Sequence, residues 1–376
     1  MSKRIFQICL LSFLFLSCQS QEKKVVEKNR AEKKPESMET IKLNLEKELS
    51  AERQDPFIIR EFDPYLKGKW IGKAISYGCY REGQAPRVKG PSETEILEDL
   101  EIILNHWNLI RVYGSDDDSE RILNVISENN LPIKVMLGVW LENESKDKQR
   151  KHENIKEVMN AIRLAKEYSE IILAINVGNE TQVYWSAHKM EIANLIKYLR
   201  TVRNYTNIPI TTADDYNFWN KPVSKSVASE VDFIVVHIHP LWNGKTIDNS
   251  LEWTSDIINS DIKNLHSDKT LVLGEIGWAT NYDSSKTGDG QQGSLIKGEV
   301  SIEAQEKFLI KLSDWIDYNK VTTFLFEAFD EPWKGGGEFS SPNEIEKHWG
   351  IYYENRKPKE SFKNFLNAKK NNNNYE

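Results

Sequence analysis

The sequence predicts an α/β protein with a single catalytic domain, a (β/α)8 TIM barrel. Three observations predict it. Short apolar runs rich in Ile and Val recur eight times, longer amphipathic stretches separate them, and the rhythm fills about 300 residues, the size of such a barrel. A doubly wound open sheet uses the same alternation and is the competing arrangement. The chain has 376 residues, 39% hydrophobic and 28% charged, so most of it can bury a core.

In chain order the strands are expected at 70–77, 109–113, 133–139, 171–177, 208–212, 231–237, 270–274 and 321–326, where the Ile- and Val-rich runs fall. Helices are expected between them at 93–106, 119–129, 154–168, 191–205, 253–265 and 302–319, where the period lengthens. Asp116, Asp117 and Asp118 lack calcium-loop spacing and stand where the second helix begins, so they read as capping residues. Gly288-Asp289-Gly290-Gln291-Gln292-Gly293 has the letters of a dinucleotide fingerprint. It follows a polar loop instead of a strand, and reads as a mobile lip of the cleft.

The termini lie outside this rhythm. Lys3 and Arg4 precede an apolar stretch, 5–16, that is too short for a bilayer span, and Leu16-Ser17-Cys18 then meets a polar run. This resembles a bacterial lipoprotein signal, with 1–17 removed and Cys18 lipidated; an uncleaved anchor is the alternative. Residues 18–57, rich in Lys and Glu, read as a charged flexible tether with a fraying helix around 38–49. Residues 58–368 form the domain, and 369–376, with four consecutive Asn, a disordered tail. Cys9 would leave with the signal and Cys18 would carry lipid, so Cys79 has no disulfide partner. The expected place is the bacterial cell envelope, anchored at Cys18 on an outer-membrane, surface or periplasmic face.

The net charge of −7 and pI near 5.7 argue against a nucleic-acid binder and suit a neutral substrate. The 11 Trp, 14 Tyr and 14 Phe fill a large core and can also supply platforms for sugar rings. In a parallel barrel the chemistry sits where strands end. The fourth strand ends in Gly178-Asn179-Glu180 and the seventh in Glu275-Ile276-Gly277-Trp278. A single glutamate at a strand end is ordinarily a solvated rim residue. A pair three units apart faces across one mouth, as two-carboxylate glycoside chemistry requires. Arg111 lies in an apolar strand on the same side as Tyr113, and an inward Arg needs a carboxylate partner, either Glu275 or another acid.

Five segments carry a family resemblance: Ile75 to Gln84 (ISYGCYREGQ), Leu109 to Gly114 (LIRVYG), Val177 to Glu180 (VGNE), Gly274 to Trp278 (GEIGW) and Phe326 to Lys334 (FEAFDEPWK). Together they resemble glycoside hydrolase family 17, the β-1,3-glucanases, in its fungal and bacterial branch. The resemblance implies a retaining hydrolase acting on laminarin-type β-1,3-glucan, with endo action expected. Glu180 would be the general acid/base and Glu275 the nucleophile, with no metal and no cofactor. Such a pair stands about 5–5.5 Å apart, one carboxyl keeping a proton through burial and a neighbouring negative charge, the other kept ionised by cations.

The resemblance further implies that Asn179 bonds the sugar 2-hydroxyl and that Glu331 and Lys334 lie near the subsites, a loop ion pair being the other reading of those two. Tyr77, Trp278 and Phe326 are candidate walls or platforms, and Arg111 and Tyr113 are candidate substrate-binding residues beside them. His237-Ile238-His239 departs from the plant pattern; sugar bonding by His239 is favoured over a metal site. A β-1,3-glucan transglycosylase and a non-catalytic glucan-binding lipoprotein are the alternatives. The expected partners are β-glucan and the membrane, without nucleic acid, and the chain is expected to be a monomer.

Overall fold

A computed structural model describes residues 37–145, 147–334 and 344–373. The signal segment, Cys18 and the tether up to residue 36 lie outside the described residues. The chain divides into two compact units, Met1–Leu43 and Asn44–Glu376. In the first, the described residues open the helix Met38–Glu46, and the Ser37 hydroxyl accepts the Thr40 N–H at 3.1 Å.

The second unit is a closed barrel of eight parallel strands in sequential order, the last pairing with the first. They are β1 Lys73–Ser76, β2 Leu109–Arg111, β3 Lys134–Val139, β4 Ile172–Asn179, β5 Ile210–Asp215, β6 Ile234–His237, β7 Leu271–Ile276 and β8 Thr323–Leu325. Each falls on one of the expected runs. The open sheet is thereby excluded. The first run differs at its start: Trp70 belongs to a two-residue hairpin, Tyr65–Leu66 with Lys69–Trp70, and β1 begins three residues later.

The barrel helices are α1 Glu93–Leu104, α2 Asp117–Glu128, α3 Lys148–Glu167, α4 Ile192–Tyr205, α5 Ile247–Asp256 and α6 Ile302–Asn319. Local chemistry sets their starts. Ser92 and Glu95 form a reciprocal capping box on α1, Asp116 accepts the Ser119 N–H on α2, and Ser301 caps α6. The expected helix over 253–265 is continuous but changes period: after α5 the chain loosens into a π-helical turn, Ile257–Ile262, and returns to α-helix at Lys263–Leu265. Gly288 to Gly293 folds back through the Gly293 N–H to the Lys286 carbonyl (2.8 Å).

At the amino ends of the strands the interior is apolar. Ala74, Leu109, Met136, Ala174, Ala213, Val235, Val272 and Phe324 share one buried cluster, closed by Phe62 stacked on Phe233 at 4.5 Å. The chain entering this end is pinned. Asp232 accepts the Arg60 N–H and pairs with Arg203 at 2.6 Å, Asn204 donates to the Glu52 carbonyl, and Arg53 pairs with Glu230. Ordered contacts thus begin before residue 58, where the charged composition suggests tether. At the other terminus a helix, α7 Glu360–Asn373, runs into the expected tail, and Lys369 pairs with Asp314 at 2.7 Å. Helix propagation from a well-packed start carries the polar residues along. Among the described residues no helix is long and apolar enough to cross a membrane.

Candidate active site

The carboxyl ends of the same strands follow the opposite rule. At the end of β4 the pairing register shifts between Asn176 and Asn179, Gly178 takes φ +84° and Glu180 φ +49°. A side chain at Gly178 would be strained there, which is why the turn uses glycine. Glu180 itself occupies the left-handed region, a departure that glutamate makes only where the surroundings enforce it. Its N–H is tied to the Ala213 carbonyl at 2.9 Å, and the next turn is held by the Gln182 N–H on buried Asp214 (2.8 Å). Burial, then the negative charge of Glu180, pushes the Asp214 carboxyl well above its usual range.

Glu275, near the end of β7, is buried and surrounded by donors. Its Oε1 accepts from Arg111 Nη1 at 2.7 Å and from the Tyr113 hydroxyl at 3.0 Å, and its Oε2 lies 3.2 Å from His239 Nε2. Burial alone would favour the protonated acid. The positive character of His237, the His239 hydrogen bond and the Arg111 guanidinium override it and hold Glu275 well below the ordinary carboxylate range. His239 is opposed by its own burial, but the Glu275 contact raises it above the usual histidine value. Arg111 is fully buried; its Nη2 donates to Asn179 Oδ1 at 2.5 Å and it stacks on the Tyr113 ring, so the charge is compensated on several sides.

His237, the last residue of β6, stands between the two glutamates. Its Nδ1 is 3.0 Å from Glu180 Oε1 and its Nε2 is 3.4 Å from Glu275 Oε1. One carboxylate oxygen from Glu180 and one from Glu275 lie within 4.8 Å of each other and of a His237 nitrogen. A cation could take that spacing, but the donor set does not fit a resident metal, because Arg111 already places a positive charge on the Glu275 carboxylate.

A cavity of about 400 Å³ opens beside the pair, and Glu180, Glu275, Asn179 and Tyr113 line it. Phe326, Trp140 and Trp333 give it aromatic walls, with Tyr80 edge-on to Trp333 at 5.8 Å. Lys334 bridges Glu327 (2.8 Å) and Glu331 (2.6 Å). Burial and the adjacent Glu331 charge push the Glu327 carboxyl up. A Cβ at Gly78 would fall 1.9 Å from Glu331, so glycine leaves room for that carboxylate.

The expected site residues therefore divide. Glu180, Glu275, Arg111, Tyr113 and Asn179 come together in one bonded group. Glu331, Lys334 and Phe326 line the cavity; the ion pair and the subsite reading of Glu331 and Lys334 thus describe the same residues. His239 places its Nε2 3.2 Å from Glu275 Oε2. Tyr77 also lines the cavity, but it is buried with its hydroxyl on Asp99 (3.0 Å), a wall rather than a free platform. Trp278 is corrected: it is 1% exposed, donates to the Glu299 carbonyl at 2.8 Å and packs on Phe308, so its partners are in the core. Glu180 is also more open than the expected buried acid, with 26% of its side chain exposed. Sequence reasoning missed His237 and Glu327 as site residues. Both stand at or just beyond strand ends, the signal that singles out the glutamates.

The family model described as the BtgE/BtgC glycoside hydrolase domain matches residues 74–350. The chain is 29% identical over 289 residues to an Aspergillus terreus protein named "Probable glucan endo-1,3-beta-glucosidase btgC", covering 73% of this chain and 42% of the relative. It thus spans about two fifths of that relative's length. Among solved structures, an endo-laminarinase from Formosa Hel1_33_131 shares the fold at 24% identity and TM-score 0.66, over 79% of this chain and 88% of that one. A Rhizomucor miehei β-1,3-glucanosyltransferase, solved with laminaritriose, shares it at 20% identity and TM-score 0.60, over 77% and 95%. With the match running from the first barrel strand past the eighth, the chain belongs to the BtgE/BtgC glycoside hydrolase family.

Proposed function

We propose that this protein is a retaining glycoside hydrolase that cleaves internal linkages of laminarin-type β-1,3-glucan by double displacement. The observation that carries the proposal is the pair of carboxylates, within 4.8 Å at one barrel mouth and in opposite surroundings. Glu275 Oε attacks the anomeric carbon as the glycosidic C–O bond breaks, and Glu180 gives its proton to the departing oxygen. Water then enters on the same face, Glu180 takes its proton, and the ester to Glu275 breaks. The Glu180–His237 contact serves both stages, because Nδ1 can accept from the protonated acid or donate to the ionised one.

Arg111 and Tyr113 keep Glu275 ionised for attack, and Asn179, its carbonyl oxygen engaged by Arg111, offers amide N–H groups to a sugar hydroxyl. The reaction as written consumes no cofactor. Asp116, Asp118, Glu142 and Glu346 line the cavity against the cations Arg87 and Lys334, a balance that repels polyuronates and suits neutral glucose units. We also propose that Cys18 carries a lipid that anchors the enzyme to the bacterial envelope, on the support of the signal-like residues 1–18 alone.

Incubation of the full-length chain with laminarin tests the reading. An early ladder of short oligosaccharides, absent in Glu275→Gln, supports endo hydrolysis. One fixed short product from the start means exo action, and intact laminarin means the substrate or the site is wrong.

A further inference from the structure

The loop that leaves Glu180 carries two large aromatic side chains in water. Tyr184 is 82% exposed and Trp185 48%, and they meet edge to face at 5.0 Å. Their neighbours do the opposite: Thr181 and Val183 are buried. The loop around them is also tied down. The Met190 N–H donates to the Thr181 carbonyl at 2.9 Å, and His188 Nδ1 sits 3.1 Å from Glu142, a cavity-lining residue, with its ring against Trp140, another. A surface loop normally carries small and polar residues, so a fixed loop presenting two apolar rings marks a contact surface.

Chemistry says which side of the scissile bond this surface serves. The acid must touch the glycosidic oxygen, so the sugar attached through that oxygen lies on the Glu180 side and the attacked sugar on the Glu275 side. Tyr184 and Trp185 follow Glu180 by four and five residues, which limits them to about 14–18 Å from it along the chain. We propose that Tyr184 and Trp185 form the aglycone platform, on which the neutral β-linked glucosyl chain leaving across Glu180 stacks and on which a sugar acceptor sits during transfer. This rests on the reading of Glu180 as acid/base and assigns the residues that decide between water and a sugar as the second substrate.

The full-length chain and its Tyr184→Ala/Trp185→Ala form are compared on laminarin and on an aryl β-laminaribioside, whose aglycone is too short to reach the loop. The ratio of kcat/KM for laminarin to that for the aryl substrate falls about tenfold in the double variant, the loss of one stacked sugar contact. The share of transfer products formed with added laminaritriose falls with it. An unchanged ratio in an active protein overturns the platform. A wild type that cleaves neither substrate counts instead against the hydrolase reading. The platform is then read by titration with laminarihexaose: it predicts a fluorescence change in wild type that is reduced in Trp185→Phe, and equal changes overturn it.

Discussion

The ends of β4 and β7 present the same functional group in two environments. Glu275 is buried, with Arg111, Tyr113 and His239 all aimed at it, and is held well below the ordinary carboxylate range. Glu180 has a quarter of its side chain open to the cavity, one imidazole contact that works with or without its proton, and a left-handed backbone. A group meant to stay ionised is fenced by donors. A group meant to gain and lose a proton is left one reversible partner and access to solvent. The difference is what the proposed roles, Glu275 as nucleophile and Glu180 as acid/base, require, and it does not depend on which strand each glutamate occupies.

The sharpest way to break the comparison is to remove each carboxylate. Glu275→Ala is expected to lower kcat on every substrate by on the order of 10⁵-fold, the scale at which a covalent nucleophile is lost. Glu180→Gln is expected to cost about 10²–10⁴-fold on laminarin and far less on an aryl glycoside whose leaving group needs no proton. Equal losses on both substrates would erase the distinction between the two residues.

Arg111→Gln tests what fences Glu275. Removing one partner of a buried pair costs about 3–5 kcal/mol of stability, measurable by denaturant unfolding. The sign of its pH dependence follows from the depressed Glu275. That stabilisation is fully present above the ordinary carboxylate value of 4.5 and is lost as pH falls through the lower folded value. With Arg111 gone, the acid limb of the pH–activity profile moves upward toward the ordinary range. Tyr113→Phe is the mildest change: loss of one hydrogen bond to a charged oxygen should reduce kcat about tenfold, with a smaller upward move of the same limb.

Much of this was legible in the sequence, for reasons the structure makes plain. Barrel strands are buried on both faces, so the eight appear as short apolar runs, most of them carrying Ile or Val, and strand-end position singles out Glu180 and Glu275. Arg111 was legible because an Arg in an apolar strand must find an acid. The aromatic residues were not, because a sequence does not say which face an aromatic ring meets. Trp278, three residues after Glu275, points into the core, while Trp140 and Trp333 line the cavity and Tyr184 and Trp185 stand in water. The termini differ in another way: the charged composition of residues 18–57 and 369–376 reads as tether and tail, yet specific partners such as Glu230 and Asp314 hold parts of both.

The most direct test is to trap the intermediate. The full-length chain is incubated with 2-deoxy-2-fluoro-β-laminaribiosyl fluoride, digested and mapped by mass spectrometry. The account predicts one glycosyl group, attached to Glu275. A label on Glu180, or an active enzyme that inverts the anomeric centre and takes no label, would contradict it.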